Sequence, residues 1–352
     1  MKRCAKCILP ESYPNITFDN NGVCNVCRSF EKRWSNYDWS GKKRELEDII
    51  EKSKAKNRRY DCIVPVSGGK DSTYALYICT QKYKMKVLAV NFNNGFSSPV
   101  ASQNLGKMAR QFDADYISWA PKWSTLKLAY RTFFLKTGDF CPPCSRAITS
   151  FTYRLAQKER IPLIILGFNP KTDINPPEVE IIDQRLFKDV MGNEMSVREK
   201  KDFIIFEPRR FLTKRIDLPS YIPFNENNMI TELEQALGNI GGFSGGMHFD
   251  CIVSSVANWL RRKKWRFGKK TQKYSALIRD GQMTRKEALE QSEGSDADKE
   301  PEILNYFMEM LELTRDDIER AKELSPLNFK HYDPKLIRMI GRLSGIIDKD
   351  YK

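Results

Sequence analysis

Histidine is scarce in this sequence, and long apolar runs are absent from it. Two of the 352 residues are histidine, His248 and His331, so a nucleophilic mechanism led by a histidine base has little support. The densest apolar run, residues 161–166, has the length of a buried strand rather than the roughly 18 residues of a membrane span. The first residues lack the apolar core of a signal peptide. We therefore expect a cytoplasmic protein without membrane insertion.

Acidic residues are outnumbered, 45 to 59, which leaves a formal net charge of +14. A basic surface attracts nucleic acid, nucleotides or nucleotide-linked sugars, although solvated lysines alone would give the same total. The densest basic cluster, residues 261–270, also contains Trp265. Basic residues interleaved with aromatic rings can grip a phosphate backbone, or they can surround one phosphorylated small molecule.

Nine cysteines in a chain without a signal peptide favour metal binding or chemistry over a disulfide framework. Two C-x₂-C pairs lie near the start, Cys4 with Cys7 and Cys24 with Cys27. Four thiolates in two such pairs predict a closed tetrahedral zinc site. Residues 1–30 are therefore expected to form a zinc ribbon whose folding energy comes largely from the metal. The charged residues 31–57 predict a connecting helix.

Strand and helix patterns alternate from residue 58 to residue 200. This order predicts an α/β fold, a doubly wound parallel sheet with helices on both faces. Residues 201–352 are mostly helical in pattern and are interpreted as a region for substrate or partner. Ligands of such sheets bind at the carboxyl ends of the strands, where three marked stretches fall: residues 67–72, 91–95 and 167–170.

The first of these stretches predicts a phosphate-binding loop with the sequence Ser67-Gly68-Gly69-Lys70-Asp71-Ser72. The two glycines leave backbone N–H groups open to an anion, and the following helix directs its positive end at the same place. The lysine adds a full charge and the serines add hydroxyl donors. The aspartate orients the loop or helps to hold Mg²⁺.

This loop is neither the kinase-type phosphate loop nor a dinucleotide fingerprint. It resembles the SGGxDS signature of the ATP pyrophosphatase (PP-loop) superfamily, whose members share an adenine nucleotide alpha hydrolase-like fold. The resemblance implies an enzyme that transfers AMP from ATP to a substrate oxygen and releases pyrophosphate. It also implies nucleotide contacts from Asn91 and Asn93, although an ordinary Asn/Gly turn would look the same, and from Gly167 after a later strand.

A second pair, Cys141-Pro-Pro-Cys144, is predicted at the start of a helix, where thiolates are favoured. Three interpretations remain open: a redox pair, half of a metal site, or a rigid corner. Together with Cys251 the pair could hold an iron–sulfur cluster, and with His248 added it could form a second zinc site.

Most of the chain resembles the N-acetyl sugar amidotransferase family. The resemblance rests on residues 7–10, 22–27, 65–73, 138–144, 161–167, 266–268 and 278–288. It implies that ATP activates the acetamido oxygen of an N-acetyl, nucleotide-linked sugar and that nitrogen replaces that oxygen, giving an acetamidino sugar for a surface polysaccharide. It further implies a partner glutaminase with an ammonia-channelling synthase, and catalytic roles for Lys70, Asp71, Cys141 and Cys144.

A different enzyme class remains as the alternative. The segment from Cys141 to Arg146 also resembles the motif of PP-loop tRNA thiolases, which hold an iron–sulfur cluster on three cysteines. Cys251 could be the third ligand, and tRNA would then be the partner. A nucleotide-binding regulatory subunit is a third interpretation, which the intact Lys70 and Asp71 disfavour.

Overall fold

The computed structural model describes residues 1–172, 184–205, 213–238, 250–292 and 299–324. Five strands are present in this part of the chain: β1 (Cys62–Pro65), β2 (Val87–Phe92), β3 (Asp115–Trp119), β4 (Leu163–Leu166) and β5 (Lys214–Asp217). The helices up to β4 are α1 (Asn25–Trp34), α2 (Trp39–Lys54), α3 (Lys70–Tyr77), α4 (Pro99–Gln111), α5 (Trp123–Thr137) and α6 (Cys141–Lys158). A π-helical turn, Ile78–Lys82, extends α3.

The helices after β4 are α7 (Gln184–Met191), α8 (Val197–Lys200), α9 (Glu226–Leu237), α10 (Ser254–Trp265), α11 (Lys269–Arg279), α12 (Arg285–Ser292), α13 (Leu304–Leu311) and α14 (Arg315–Glu323). A short 3₁₀ turn, Leu218–Ser220, follows β5. None of the described helices is long and apolar enough to cross a bilayer.

The five strands form one parallel sheet in the order β3-β2-β1-β4-β5. The chain builds outward from β1 to β3 on one side and then returns to place β4 on the other side of β1. This reversal puts a topological switch point between the carboxyl ends of β1 and β4, where open α/β sheets bind ligands.

Helices cover both faces of the sheet, as the doubly wound fold requires. On β1, Cys62 and Val64 face a core formed with α2, α3, α4 and α9, while Ile63 faces the opposite core with α6. This alternation follows from the two-residue period of a strand, and burial on both faces explains why β1 and β2 read as continuous apolar runs. The predicted fold class is confirmed.

The sheet extends past residue 200, where the α/β region was expected to end, because β5 pairs with β4. Of the four residues of β5, Ile216 alone is fully buried, and its neighbours are charged. A short edge strand of this composition gives little apolar alternation for a sequence pattern to detect.

A helical layer lies beside the sheet and forms its own core. Aromatic side chains dominate this core, including Phe133 and Phe134 of α5, Phe187 of α7 and Phe307 of α13. Helices α10 and α14 contribute Trp259, Leu260 and Ile318. The C-terminal helices are thus packed into the α/β body rather than standing apart from it.

Candidate functional site

The phosphate loop lies at the switch point, between β1 and the first turn of α3. Gly68 has a positive φ of 83°, and a Cβ there would overlap the carbonyl group of Ala101 at the start of α4. Asn104 of α4 donates a hydrogen bond to the carbonyl oxygen of Gly68 at 3.3 Å. The glycine therefore permits both the turn and the close approach of α4, and no other residue type would fit.

Gly167 follows β4 directly against this loop. A Cβ at position 167 would overlap the backbone carbonyl of Asp71. The absence of a side chain lets the first turn of α3 rest on the end of β4. The structure thus gives Gly167 a packing role beneath the loop, and a direct contact with nucleotide remains a prediction.

The serines hold the loop in shape. The backbone N–H of Ser67 donates to Ser72 Oγ at 3.1 Å, and the two hydroxyl oxygens lie 3.3 Å apart. Gly69 precedes α3 and offers no side chain to cap it. Donors in the first turn of an uncapped helix are suited to bind an anion.

Lys70 lies in the first turn of α3 with its side chain 12% exposed. Its Nζ contacts Asp71 Oδ2 at 2.9 Å and Glu226 Oε1 at 3.4 Å. Burial alone would lower the pKa of Lys70, but the two carboxylates outweigh that effect and raise the pKa above its usual range. The lysine is therefore a fixed positive charge at the loop over the physiological pH range.

Asn91 and Asn93 lie at the carboxyl end of β2. Asn91 is buried, donates to the carbonyl oxygen of Val66 at 2.9 Å and accepts from the Ser118 hydroxyl at 3.1 Å. It therefore ties β1, β2 and β3 together. Asn93 Oδ1 accepts from the Gly95 N–H at 3.0 Å and closes a turn. Their predicted contact with adenosine remains untested.

The middle cysteine pair lies at the start of α6, as the sequence predicts. Asn94 Nδ2 contacts Cys144 Sγ at 3.8 Å, and Tyr130 donates to the Asn94 carbonyl oxygen at 3.1 Å. Burial, with a smaller contribution from the neighbouring Cys251, raises the pKa of Cys144 to about 12. This thiol is therefore protonated at neutral pH unless a cation or metal binds it.

The segment that carries Cys251 also reaches the phosphate loop. Cys251 forms an isolated bridge with Ser97, and Ser98 N–H donates to the carbonyl oxygen of Asp250 at 3.1 Å. The Asp250 carboxylate lies beside the loop, since a Cβ on Gly69 would come within 3.7 Å of its Oδ2. Burial also raises the pKa of Cys251.

The second metal site stays a prediction. In the described part of the chain, the ligand atoms of the four cysteines in residues 1–30, which we call the head, all lie within 4.8 Å of one another. Cys141, Cys144 and Cys251 are not part of that group. His248, the fourth ligand of the predicted second zinc site, lies outside the described residues.

The head cysteines are brought together as predicted. All four are buried, with Sγ–Sγ distances of 3.9 Å between Cys4 and Cys27 and 3.8 Å between Cys7 and Cys24. Sulfurs on tetrahedral zinc, at Zn–S of about 2.3 Å, are separated by about 3.8 Å, so these residues fit the metal. Backbone N–H groups of Cys7, Cys24 and Cys27 also point at the sulfurs, at 3.2–3.4 Å.

Residues 250–292, which we call the tail, pack directly on this head. Phe267 joins the core of the head and lies 5.3 Å from the ring of Tyr13. Arg285 donates to the carbonyl oxygens of Cys7 at 3.2 Å and Cys4 at 3.4 Å. The backbone of Ile8 donates to Ser275 Oγ at 3.3 Å. The head and the tail thus form one unit.

The basic cluster 261–270 does not form one exposed patch. Lys264 turns inward, and its Nζ donates to the carbonyl oxygen of Gly138 at 2.7 Å. Burial lowers its pKa to about 8. Arg261 is bonded to Gln272 at 3.0 Å, while Lys263 and Lys270 are exposed. Binding of an anionic substrate by this cluster remains a prediction.

Two residues near the phosphate loop carried no sequence signal. Glu226 Oε1 contacts Lys70, and Lys273 Nζ contacts the same oxygen at 2.8 Å. Both lie in the region interpreted as helical, as single charges within ordinary polar helix faces. Their proximity to the loop depends on the packing of α9 and α11, which periodicity does not specify.

The arrangement agrees with the class of protein that the loop sequence indicates. The parallel sheet carries Ser-Gly-Gly-Lys-Asp-Ser between its central strand and the next helix, at the switch point, as the resemblance to the PP-loop superfamily implies. The four-cysteine head and the tail lie outside this sheet.

The tail assigns a more particular relationship. Residues 242–343 match the family model described as LPS biosynthesis protein WbpG-like, C-terminal domain. The match spans less than a third of the chain and includes residues 266–268 and 278–288, on which the family resemblance was partly based. The resemblance of the tail is thereby confirmed.

Other known proteins are similar over longer stretches. An uncharacterized protein of Methanocaldococcus jannaschii is 23% identical over 306 residues, covering 85% of this chain and 95% of the relative. Among solved structures, the U34-tRNA thiolase NcsA from Methanococcus maripaludis with its 4Fe–4S cluster is 16% identical, with a TM-score of 0.34 over 90% of this chain and 99% of that one. The NH₃-dependent NAD synthetase from Campylobacter jejuni is 16% identical, with a TM-score of 0.31 over 60% and 98%.

Proposed function

We propose that this protein is an ATP-dependent amidotransferase that converts the acetamido group of an N-acetyl sugar into an acetamidino group. The observation that carries the proposal is the contact, through the Glu226 carboxylate, between Lys70 of a PP-loop and Lys273 of the tail. That tail matches a family of LPS biosynthesis. A chain with both parts joins ATP chemistry to a sugar pathway.

The reaction needs two steps at the end of the sheet. In the first, the acetamido oxygen attacks the α-phosphorus of ATP, and the α–β bond breaks to release pyrophosphate. In the second, ammonia adds to the activated carbon, a proton is lost, and the C–O bond breaks to release AMP. The amide oxygen is a poor leaving group until adenylation converts it into part of AMP.

The loop residues would serve the first step. Lys70 and the open N–H groups at the start of α3 would bind the phosphates and offset the charge that develops on pyrophosphate. Asp71 would hold Mg²⁺, which would offset negative charge on the phosphates. Ser67 and Ser72 would hold the loop in shape around the phosphates. Gly68, Gly69 and Gly167 would leave the loop backbone accessible to them. Asn91 and Asn93 would border the adenosine side.

The middle cysteines would lie beside the acceptor. Asp250 lies next to the loop, and Cys251 follows it, while Cys144 contacts Asn94 at the end of β2. Cys144, as a protonated thiol, and Cys141 would shape the pocket of the acetamido group and exclude water from the adenylated intermediate. A glutaminase with an ammonia-channelling synthase would supply the nitrogen, and the head would hold structural zinc.

Oxygen-18 transfer tests this proposal. UDP-linked N-acetylhexosamines labelled in the acetamido oxygen are incubated with the protein, Mg-ATP and ammonium, and nucleotide products are analysed by mass spectrometry. We expect labelled AMP, unlabelled pyrophosphate and a sugar in which NH replaces oxygen. Lys70→Ala should abolish all three products while the melting curve keeps its cooperativity. Production of ADP in place of AMP would refute the proposal.

Sulfur transfer to tRNA is the second candidate, favoured by the electrostatic contact of Cys251 with Cys144 and by its place directly after Asp250, which lies beside the loop. It requires a cluster on Cys141, Cys144 and Cys251. Anaerobic purification followed by a visible spectrum and iron analysis separates the candidates. Stoichiometric iron with cluster absorbance supports sulfur transfer, whereas colourless protein with zinc alone supports amidation.

A further inference from the structure

One carboxylate oxygen at the phosphate loop is held between two ammonium groups. Glu226 Oε1 lies 3.4 Å from Lys70 Nζ and 2.8 Å from Lys273 Nζ. The three side chains are 12% to 21% exposed, so the cluster is largely shielded from solvent. With Asp71, which also contacts Lys70, the cluster holds two positive and two negative charges.

The two additional residues come from separate parts of the chain and are held firmly. Glu226 begins α9, and its backbone N–H donates to Gln282 Oε1 at 2.7 Å. The same glutamine donates to the carbonyl oxygen of Phe224 at 3.1 Å and to Asp280 Oδ2 at 2.6 Å. Lys273 lies in the middle of α11, within the tail. Both residues are therefore fixed at the loop by backbone elements rather than by long side chains alone.

An oxygen with a negative charge between two lysines is the type of group that a polyphosphate offers. Glu226 supplies that oxygen from within the protein. We propose that Lys273 is a second lysine that binds the phosphates of ATP. In the absence of nucleotide, the Glu226 carboxylate occupies the phosphate position, and nucleotide displaces it. This inference rests on the proposed function, since it takes the loop as the ATP site.

The exchange follows from charge. A carboxylate carries one negative charge, whereas the phosphates of Mg-ATP carry more, on several oxygens that can contact both lysines and the open N–H groups of the loop at once. Burial lowers the pKa of Lys70, but Asp71 and Glu226 raise it above its usual range, so the lysine is charged before nucleotide arrives. Because Lys273 belongs to the tail, the tail would complete the ATP site.

Binding of α,β-methylene-ATP with Mg²⁺, measured by calorimetry on the full chain, tests the inference without turnover. Lys273→Gln should weaken binding about tenfold or more, the loss expected for a hydrogen bond to a charged group. Lys273→Arg, which keeps the charge, should bind within a few-fold of the wild type. Lys286→Gln removes an exposed lysine from α12 and is the matched control for net charge.

Glu226→Gln gives the opposite expectation and remains informative if Lys273→Gln folds poorly. Loss of the competing carboxylate should tighten binding several-fold. Weaker binding by Glu226→Gln would overturn the place-holding role, and unchanged binding by Lys273→Gln would overturn the phosphate role.

Lys70→Gln separates this inference from the proposed function. If it weakens nucleotide binding while Lys273→Gln does not, the inference alone fails. If neither variant changes binding, the loop is not the ATP site and the proposed function fails as well.

Discussion

Single residues show how tightly the nucleotide end of the sheet is built. Gly68 and Gly167 lie where a Cβ would overlap backbone atoms of α4 and α3. Backbone atoms cannot move aside as a flexible side chain can, so a side chain at either position would force neighbouring elements to shift. The sequence predicted both glycines as ligands of the nucleotide, and the structure adds that they also let three elements meet.

Gly167→Ala should disturb the loop more than the sheet. The added methyl group would push the Asp71 carbonyl away from β4 and cost about 1–3 kcal/mol of stability through overpacking. We also expect weaker ATP binding, because the first turn of α3 would shift. Urea unfolding and nucleotide titration measure the two effects.

Gly106→Ala is the matched control, since a Cβ there meets the Arg110 side chain no closer than 3.6 Å. Because position 106 lies within α4, alanine should leave the stability unchanged or raise it by about 1 kcal/mol. Equal effects of the two substitutions would contradict the packing argument.

Lys264 should make stability depend on pH. Its pKa is about 8 in the folded protein because of burial, against an ordinary lysine value of 10.5. Between these values the unfolded chain binds the proton and the folded chain does not, so stability rises with pH, by about 1.4 kcal/mol per unit at most. Below pH 8 both the folded and the unfolded chain bind the proton, so Lys264 no longer makes the stability change with pH.

Lys264→Met should remove that rise. Urea unfolding of both proteins at several pH values between 7 and 10 measures the difference in slope, in which the contributions of all other groups cancel. Parallel curves for the two proteins would show that the lysine stays charged when folded.

At the scale of elements, the sequence predicted what depends on local periodicity. Strands β1, β2 and β4 and helices α3 to α6 lie in the alternating region expected at residues 58–200, because each has a buried run or an apolar face. β5 escaped detection because it has one fully buried residue. The meeting of Glu226 and Lys273 at the loop could not be foreseen, because the packing of α9 and α11 depends on contacts between segments far apart in sequence.

Helix α12 should hold the head on the body through Arg285. Its guanidinium donates to the carbonyl oxygens of two cysteine residues, so Arg285→Ala leaves two buried acceptors without that partner. We expect a loss of about 1–3 kcal/mol and faster release of zinc to a colorimetric chelator.

Arg315→Ala provides the comparison for Arg285→Ala. Arg315 contacts Glu300 in an exposed ion pair, which contributes little stability. Zinc release from this variant should match the wild type. If both variants release zinc at the same rate, Arg285 does not secure the head.

At the scale of the whole molecule, the head contacts the tail, and the tail in turn connects to the loop. The head contacts Phe267, Ser275 and Arg285 of the tail, and Lys273 of the same tail reaches the loop. A closed zinc site has no open position for chemistry, and from the sequence alone its loss would affect folding only. Because the tail connects the head to the loop, we expect the loss of zinc to affect the ATP site as well.

Cys4→Ser should therefore lower three quantities together: zinc content, melting temperature and affinity for α,β-methylene-ATP. Loss of a zinc ligand would loosen the head, and the tail would then hold Lys273 less firmly. Zinc analysis, thermal unfolding and calorimetry measure them. Cys79→Ser, in the core beneath the sheet, is a control that should lower the melting temperature while zinc stays bound. Unaltered nucleotide affinity in Cys4→Ser would show that the head does not influence the loop.

The distance along the chain between head and tail has a consequence during synthesis. Arg285 contacts residues 278 and 281 positions earlier. At 5 to 20 residues per second, a ribosome needs roughly a quarter of a minute to a minute to add that length. The four thiols thus leave the ribosome before the helices that will cover them are synthesised. Early capture of zinc would protect them from oxidation over that interval, so metal supply during translation should set the yield of active protein.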